Sequence, residues 1–149
     1  MCIRDSIGFD DATTSVAERA RLEEHAPSRT ELVAAGGLIE QLRAVKDAEE
    51  IERIAAAAAL VDGIYEWLVQ RGFAGRRERE VAVELEHEMR MRGASRPSFD
   101  SIVAGGPHAA LPHAQVTDSP IVPGTLVTVD IGAVLDGYCS DCTLSLIHI

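Results

Sequence analysis

Residues 127–141 read VTVDIGAVLDGYCSD, and this stretch predicts a β-hairpin from which the rest of the fold can be worked out. Asp136-Gly137 is a strong β-hairpin signal, because both central residues of the favoured two-residue turn need a positive φ, which glycine tolerates and aspartate bears better than most residues. Apolar residues alternate before the turn, as is typical of a strand. Two aspartates, Asp130 and Asp141, stand where such a hairpin would be expected to bury valine and isoleucine.

Turn length decides which way these carboxylates face. If Asp136 and Gly137 form a two-residue loop, Asp141 lies opposite Gly132 and on the same face as Asp130. The same loop one position earlier would set the aspartates directly opposite each other, and a three-residue loop would turn one away unless a bulge restored the phase.

Two carboxylates on one face come within about 5 to 8 Å and repel each other. No lysine or arginine occurs from residue 99 to 143, so a divalent metal is the economical counter-charge. The alternative is that one or both aspartates are exposed residues of a turn or an edge strand. The apolar run around Asp130 favours a strand buried on both faces, and a buried aspartate requires a partner.

Composition excludes several classes of protein. The chain has 149 residues, 46% of them hydrophobic, and a mean hydropathy of +0.04, which predicts one globular domain. A formal charge of −10 disfavours nucleic acid and anionic membranes as partners. The first residues, MCIRDSIGFD, carry charges of both signs where a signal peptide would be apolar, and we expect a cytoplasmic protein.

Cysteine and histidine supply weaker signals. The three cysteines, Cys2, Cys139 and Cys142, are odd in number, so a disulfide framework is not predicted, and one C-x-x-C pair is a weak metal signal. His108 and His113 lie in a loop before the hairpin, where site residues are commonly displayed, and composition does not distinguish them.

Periodicity organises the rest of the chain. Residues 7–43 predict a short strand at IGF and helical pieces at 17–24 and 31–43, broken by Pro27 and by Gly36-Gly37, and this segment is too short for a core of its own. Asp47 and Glu50 form a capping-box pattern that opens a long helix ending at Gly72. Its predicted apolar face comprises Ile51, Ile54, Ala58, Val61, Tyr65 and Leu68. A second helix is predicted over 78–92, followed by a strand over 99–104 and the hairpin strands over 126–144.

Several motifs in the right order carry a family resemblance. FDSIVAGGPHAALPHA (99–114) and VPGTLVTVDIGAVLDGYCSDCT (122–143) resemble the creatinase and aminopeptidase P branch of the M24 metallopeptidases, and LRAVKDAEEIERIAAAAALVD (42–62) is similar to the helix that opens their catalytic domain. The resemblance implies an α+β pita-bread fold, of which the chain carries the first half of the catalytic domain only. It implies the tail of an N-terminal domain at 7–43 and the catalytic half at 44–144, and we expect 1–6 and 145–149 to be a non-native leader and tail.

The resemblance also implies a site. Two divalent metal ions, manganese in preference to cobalt, iron or zinc, would be held by five side chains of which this sequence supplies two. Asp130 would bind one ion and Asp141 would bridge both. His113 would contact substrate and stabilise the tetrahedral intermediate, whereas His108 matches no functional position. The other ligands, a histidine and two glutamates, belong downstream, and His148 follows Asp141 too closely to replace one.

The implied function is metal-dependent hydrolysis of the bond between an N-terminal residue and proline, by a full-length protein that forms a homodimer. The fragment itself is expected to be inactive, because the missing glutamates leave neither a closed site nor a general base. The alternatives are a methionine aminopeptidase-like or creatinase-like hydrolase of the same fold, and a non-catalytic module that binds a protein partner. Retention of both aspartates and His113 argues against the binding module.

Overall fold

The computed structural model describes residues 6–147, and the chain divides into two compact units, Met1–Lys46 and Asp47–Ile149. The first unit contains strand β1 (Ser6–Phe9), helix α1 (Val16–His25), strand β2 (Glu31–Ala34) and helix α2 (Leu38–Ala44). β1 and β2 pair in parallel. No residue between 6 and 46 is buried, which agrees with the expectation that this segment has no core of its own.

The predicted helix over 31–43 is wrong in its first part. Residues Glu31–Ala34 form β2, and only Leu38–Ala44 is helical, after the break at Gly36-Gly37. The reason is tertiary pairing, because β2 takes its hydrogen-bond partners from β1, with Leu32 beside Ile7. Such a pairing overrides the weak helical propensity of four residues.

The second unit opens with two helices, α3 (Ala48–Arg71) and α4 (Glu78–Met91). Asp47 and Glu50 form the predicted capping box, and Gly72 caps the other end of α3. The core-facing stripe of α3 differs in part from the prediction, because Ile51 and Ala58 are exposed while Ala57 and Ile64 are buried. Val81, Leu85 and Met89 of α4 are buried as predicted. Within 6–147, no helix has the length and apolar character needed to cross a membrane.

Six short strands follow: β3 (Arg96–Pro97), β4 (Ile102–Gly105), β5 (Leu126–Ile131), β6 (Ala133–Leu135), β7 (Tyr138–Cys139) and β8 (Cys142–Ile147). They form two antiparallel sheets, ordered β4-β5-β8 and β3-β6-β7. The long loop between β4 and β5 begins with a 3-10 turn over Gly106–Ala110. Of the two ends expected to be non-native, residues 1–5 and 148–149 lie outside the described residues, and these include Cys2 and His148. Residues 145–147 belong to β8.

The core of this unit lies between the two helices and one face of β5. Val127, Val129 and Ile131 point into it and are fully buried. Thr128 and Asp130 lie on the opposite face and are only half-buried. The expectation that β5 is buried on both faces is therefore wrong within residues 6–147, since the strand alternates like one with a single core face. The same alternation directs Asp130 away from the hydrophobic core.

Candidate metal site

The turn between β6 and β7 is the two-residue loop that the sequence predicts. Asp136 and Gly137 adopt φ of 48° and 83°, and Leu135 pairs with Tyr138. Both positive φ values match the hairpin turn whose twist suits antiparallel strands. The loop length therefore sets the register of everything that follows in the hairpin.

The register carries through to the second sheet without a bulge. Ile131 pairs with Cys142, which continues the phase of the turn and sets Asp141 opposite Gly132. Asp130 and Asp141 are then diagonal neighbours on one face, and such neighbours lie about 7 to 8 Å apart. Of the three arrangements of the turn, the structure has the two-residue loop at Asp136-Gly137, which places the two carboxylates diagonally on one face.

The hairpin passes from one sheet to the other at Gly132, Ala133 and Ser140, which we call the neck. All three of these residues are small. A Cβ added to Gly132 would overlap the carbonyl oxygen of Ser140 and the hydroxyl of Ser98, so only glycine fits. The buried Ser140 hydroxyl accepts a hydrogen bond from the Ala133 N–H at 3.0 Å. Ser98 Oγ donates to Ser140 O at 2.8 Å and ties the neck to the chain before β4. These contacts fix the backbone immediately before Asp141.

Tyr65 of α3 holds β5, which carries Asp130, and the start of β8, which follows Asp141, from the core side. Its hydroxyl is buried and lies 2.8 Å from Val129 O and 2.7 Å from Cys142 O, one on each strand. Burial raises the pKa of Tyr65, and the negative charges of Asp130 and Asp141 raise it further. The hydroxyl therefore remains a donor, and the residues next to both aspartates are held to the same point on α3.

The electrostatics of this region are uniformly negative. Asp130 Oδ1 is buried and has no hydrogen-bond partner among residues 6–147, while Asp141 is exposed. Burial raises the pKa of the Cys142 thiol, and Asp62, Asp130 and Asp141 add to the effect through their charges. A buried carboxylate oxygen without a donor is costly unless a cation or proton meets it. Two negatively charged oxygen ligands on one face fit a hard divalent cation.

The site is a pair of ligands. In the described part of the chain, no group of three or more His, Cys, Asp or Glu side chains is arranged to hold a metal ion. Neither Cys139 nor Cys142, the C-x-x-C pair, takes part in a disulfide. A full coordination shell for a divalent ion needs four to six ligands, so two carboxylates define part of a site.

His113 lies in the loop between β4 and β5 and is exposed. The 3-10 turn of this loop contacts β5 on the face that carries Asp130, where Thr128 Oγ1 donates to Ala109 O at 3.5 Å. Within residues 6–147, His113 makes no hydrogen bond or ion pair, and no described contact joins it to either aspartate. The structure thus brings Asp130 and Asp141 together and displays His113 on a loop that packs beside them.

Two residues that support this region were missed by sequence reasoning. Tyr65 reads as one more member of an apolar helix stripe, and its hydroxyl was given no role. Glu78 reads as an ordinary acidic residue in the first turn of a helix, yet it is 1% exposed and binds His108 of the loop. No signal in the sequence separates Glu78 from Glu80, its exposed neighbour, because burial depends on the distant loop that covers it.

Comparisons with known proteins define first the fold and then the family. The X-Pro aminopeptidase from Thermotoga maritima superimposes with a TM-score of 0.89 at 32% identity, covering 96% of this chain and 40% of that one. An Xaa-Pro dipeptidase from Bacillus anthracis gives a TM-score of 0.89 at 37% identity, with 96% and 40% covered. These neighbours have the pita-bread fold, so the predicted α+β fold class, first half of the catalytic domain, is confirmed.

Sequence comparison gives the family. Residues 52–149 match Metallopeptidase family M24, and this chain belongs to that family. An Xaa-Pro dipeptidase from Pyrococcus furiosus is 41% identical over 110 residues, which cover 74% of this chain and 32% of that protein. The chain therefore spans about a third of the length of this curated relative.

Proposed function

We propose that this chain is the first part of the catalytic domain of a longer polypeptide, called the parent protein below. The parent protein is a dinuclear-metal exopeptidase that hydrolyses the bond between an N-terminal residue and proline. Family membership and the Xaa-Pro dipeptidase relative support the peptidase class and the substrate. One observation carries the metal part of the proposal, namely the buried Asp130 Oδ1 that no described residue partners.

The aspartates would hold the metal ions, with Asp130 binding one ion and Asp141 both. A pair of divalent ions in such a site supplies Lewis acidity and a nucleophilic water at neutral pH. The chain's own contribution is to hold the two carboxylates on one face before any ion arrives, through the hairpin register, the Ser140 neck and Tyr65. A preformed ligand pair does not have to be ordered at the moment of binding.

His113 would act on the substrate. Its imidazole is exposed and makes no hydrogen bond within residues 6–147, so both ring nitrogens are available to a ligand. A donor at this place would stabilise negative charge that develops on the scissile carbonyl oxygen. The loop packs on the Asp130 face of β5, which is where a substrate bound to that face would lie.

The experiment begins with the complete reading frame, recovered by amplifying source DNA outward from the codons of Ile7 and Thr143. The purified parent protein, supplied with manganese, is assayed on Gly-Pro and Gly-Ala dipeptides. We expect cleavage of Gly-Pro only, and a loss of at least about 1,000-fold in kcat/KM with Asp130→Asn, because a metal ligand is removed.

Asp136→Asn is the matched control, since it makes the same change in the exposed turn of the same hairpin and asparagine tolerates the positive φ there. It should retain activity within about two-fold of the unmodified protein. Equal activity of Asp130→Asn and Asp136→Asn, or equal cleavage of both dipeptides, would refute the proposal.

A further inference from the structure

The buried carboxylate of Glu78 lies outside the aspartate pair, and the function proposed above assigns it no role. Glu78 is the first residue of α4, where the positive end of the helix dipole favours an anion. It is 1% exposed, and among the charged residues in 6–147 it alone is buried. A charge in this position needs partners, and the end of β4 and the loop that follows it supply them.

The two oxygens of Glu78 bind opposite ends of that loop. Oε1 accepts a hydrogen bond from the Gly105 N–H at 2.8 Å, where β4 ends. Oε2 accepts from the Thr117 N–H at 3.0 Å and from the Thr117 hydroxyl at 2.6 Å. The 11 residues between these two anchors include His113.

Other contacts of Glu78 strengthen this arrangement. His108 Nδ1 lies 3.0 Å from Oε1 and 3.1 Å from Oε2, so a proton on Nδ1 is donated into the carboxylate from within the loop. The backbone N–H of Glu78 donates to Ser119 O, and that of Arg79 donates to Thr117 O, both at 3.1 Å. The first turn of α4 is therefore joined to the far end of the loop through backbone as well as side chain.

The ionised form of Glu78 is the one that these contacts stabilise. Burial alone would raise the pKa of Glu78, but hydrogen bonds from Thr117, Gly105 and His108 together hold it below its ordinary value of 4.5. Each contact is a donor aimed at a carboxylate, and charge-assisted bonds of this kind are the stronger ones. At neutral pH the carboxylate is a fixed anchor for both loop ends.

From this geometry we propose that Glu78 is a positioning residue, whose carboxylate closes the base of the 106–116 loop and thereby fixes His113 for its action on substrate. The inference rests on the proposed function, since it assigns Glu78 an effect through His113. Glu78 touches neither the substrate nor the aspartate pair in this scheme. Its effect is geometric, and displacement of a catalytic group by about 1 Å can lower a rate by about 100-fold.

Glu78→Gln tests the proposal in the parent protein. Glutamine keeps one acceptor oxygen for one end of the loop but presents an NH₂ group to the other end, where it meets the Thr117 N–H or the Gly105 N–H, donor against donor. We expect kcat on Gly-Pro to fall about 10- to 100-fold while KM changes less than about three-fold. Glu52→Gln, on the exposed surface of α3, is the control and should leave both constants unchanged.

A double-mutant cycle separates positioning from general structural damage. If Glu78 acts through His113, then Glu78→Gln should lower kcat less than about two-fold once His113→Ala is present. Full additivity of the two losses would overturn the proposal. Thr117→Val removes one hydroxyl donor to Glu78 and keeps the side-chain shape. It should give a smaller loss of kcat, which is again non-additive with that of His113→Ala. This variant tests the proposal if Glu78→Gln does not fold.

The cycle also separates this inference from the proposed function. If Asp130→Asn or His113→Ala leaves kcat unchanged, the proposed function fails, and the positioning role fails with it. If both of those variants are impaired but Glu78→Gln matches Glu52→Gln, only the positioning role is overturned.

Discussion

Replacement of Tyr65 by phenylalanine should weaken the fold at the candidate metal site specifically. The substitution removes one oxygen atom, and it keeps the buried ring in place against the core. The lost hydroxyl lies 2.8 Å from Val129 O and 2.7 Å from Cys142 O, one on β5 and one on β8. At least one of these two carbonyls loses the hydrogen bond that the hydroxyl donates.

The magnitude follows from this geometry. A buried polar group that loses its partner costs about 1 to 3 kcal/mol, and phenylalanine leaves no cavity that would add to this. We therefore expect the free energy of unfolding of the 149-residue chain to fall by about 2 kcal/mol. With a urea m value of about 2 kcal/mol/M for a unit of this size, the unfolding midpoint should move down by about 1 M.

Tyr138→Phe provides the matched control for this prediction. Tyr138 is half-buried, and its hydroxyl donates to Glu50 Oε1 at 3.2 Å, an acceptor that water can reach after the change. Its loss should lower the urea midpoint much less than the loss of the Tyr65 hydroxyl does. Urea unfolding is followed by the fluorescence of Trp67, the single tryptophan, which lies on α3 two residues after Tyr65. Equal midpoints for the two variants would show that the Tyr65 hydroxyl contributes no more to stability than the Tyr138 hydroxyl does.

Three further outcomes are expected of the 149-residue chain. The pKa of Glu78 is lower in the folded chain than its ordinary 4.5, so the stability that its carboxylate contributes is present above pH 4.5 and is lost as the pH falls below that value. The difference in urea midpoint between the native chain and Glu78→Gln should therefore narrow from pH 7 to pH 3. A constant difference would contradict this prediction. Asp130→Asn should raise the free energy of unfolding of the metal-free chain by about 1 kcal/mol, because it removes the charge of a carboxylate whose buried Oδ1 has no partner among residues 6–147. A loss of similar size in the same urea titration would show that Asp130 has a stabilising partner. With manganese added, the chain should not hydrolyse Gly-Pro above the background rate, whereas hydrolysis that Asp130→Asn abolishes would show that two carboxylates suffice.

The hairpin was predictable because its signals are local. Asp136-Gly137 fixes a turn type through backbone sterics, and the turn length then fixes the phase of Asp130 and Asp141 by counting residues. The helix that begins after Asp47 was equally accessible, since a capping box and a glycine stop lie within the segment itself. Features that depend on neighbours in sequence can be read from sequence.

The supporting contacts were not predictable because their partners lie far away along the chain. Tyr65 meets Val129 and Cys142 across 64 and 77 residues, and Glu78 meets Thr117 across 39. The same limit explains the error at β2, where pairing with β1 decided the structure of residues that periodicity had assigned to a helix. Which face of β5 meets the core was also a question of packing that the apolar run alone could not answer.

The number of manganese ions bound per polypeptide of the parent protein is the most direct test of whether the hairpin holds a dinuclear metal site. After dialysis against manganese and removal of free ion, metal analysis should find two ions per chain. Asp141→Asn should reduce the number to one or fewer, because that carboxylate is proposed to bind both ions, and Asp136→Asn should leave it at two. Two ions retained by both Asp130→Asn and Asp141→Asn would contradict the account, since the hairpin would then have no part in holding metal.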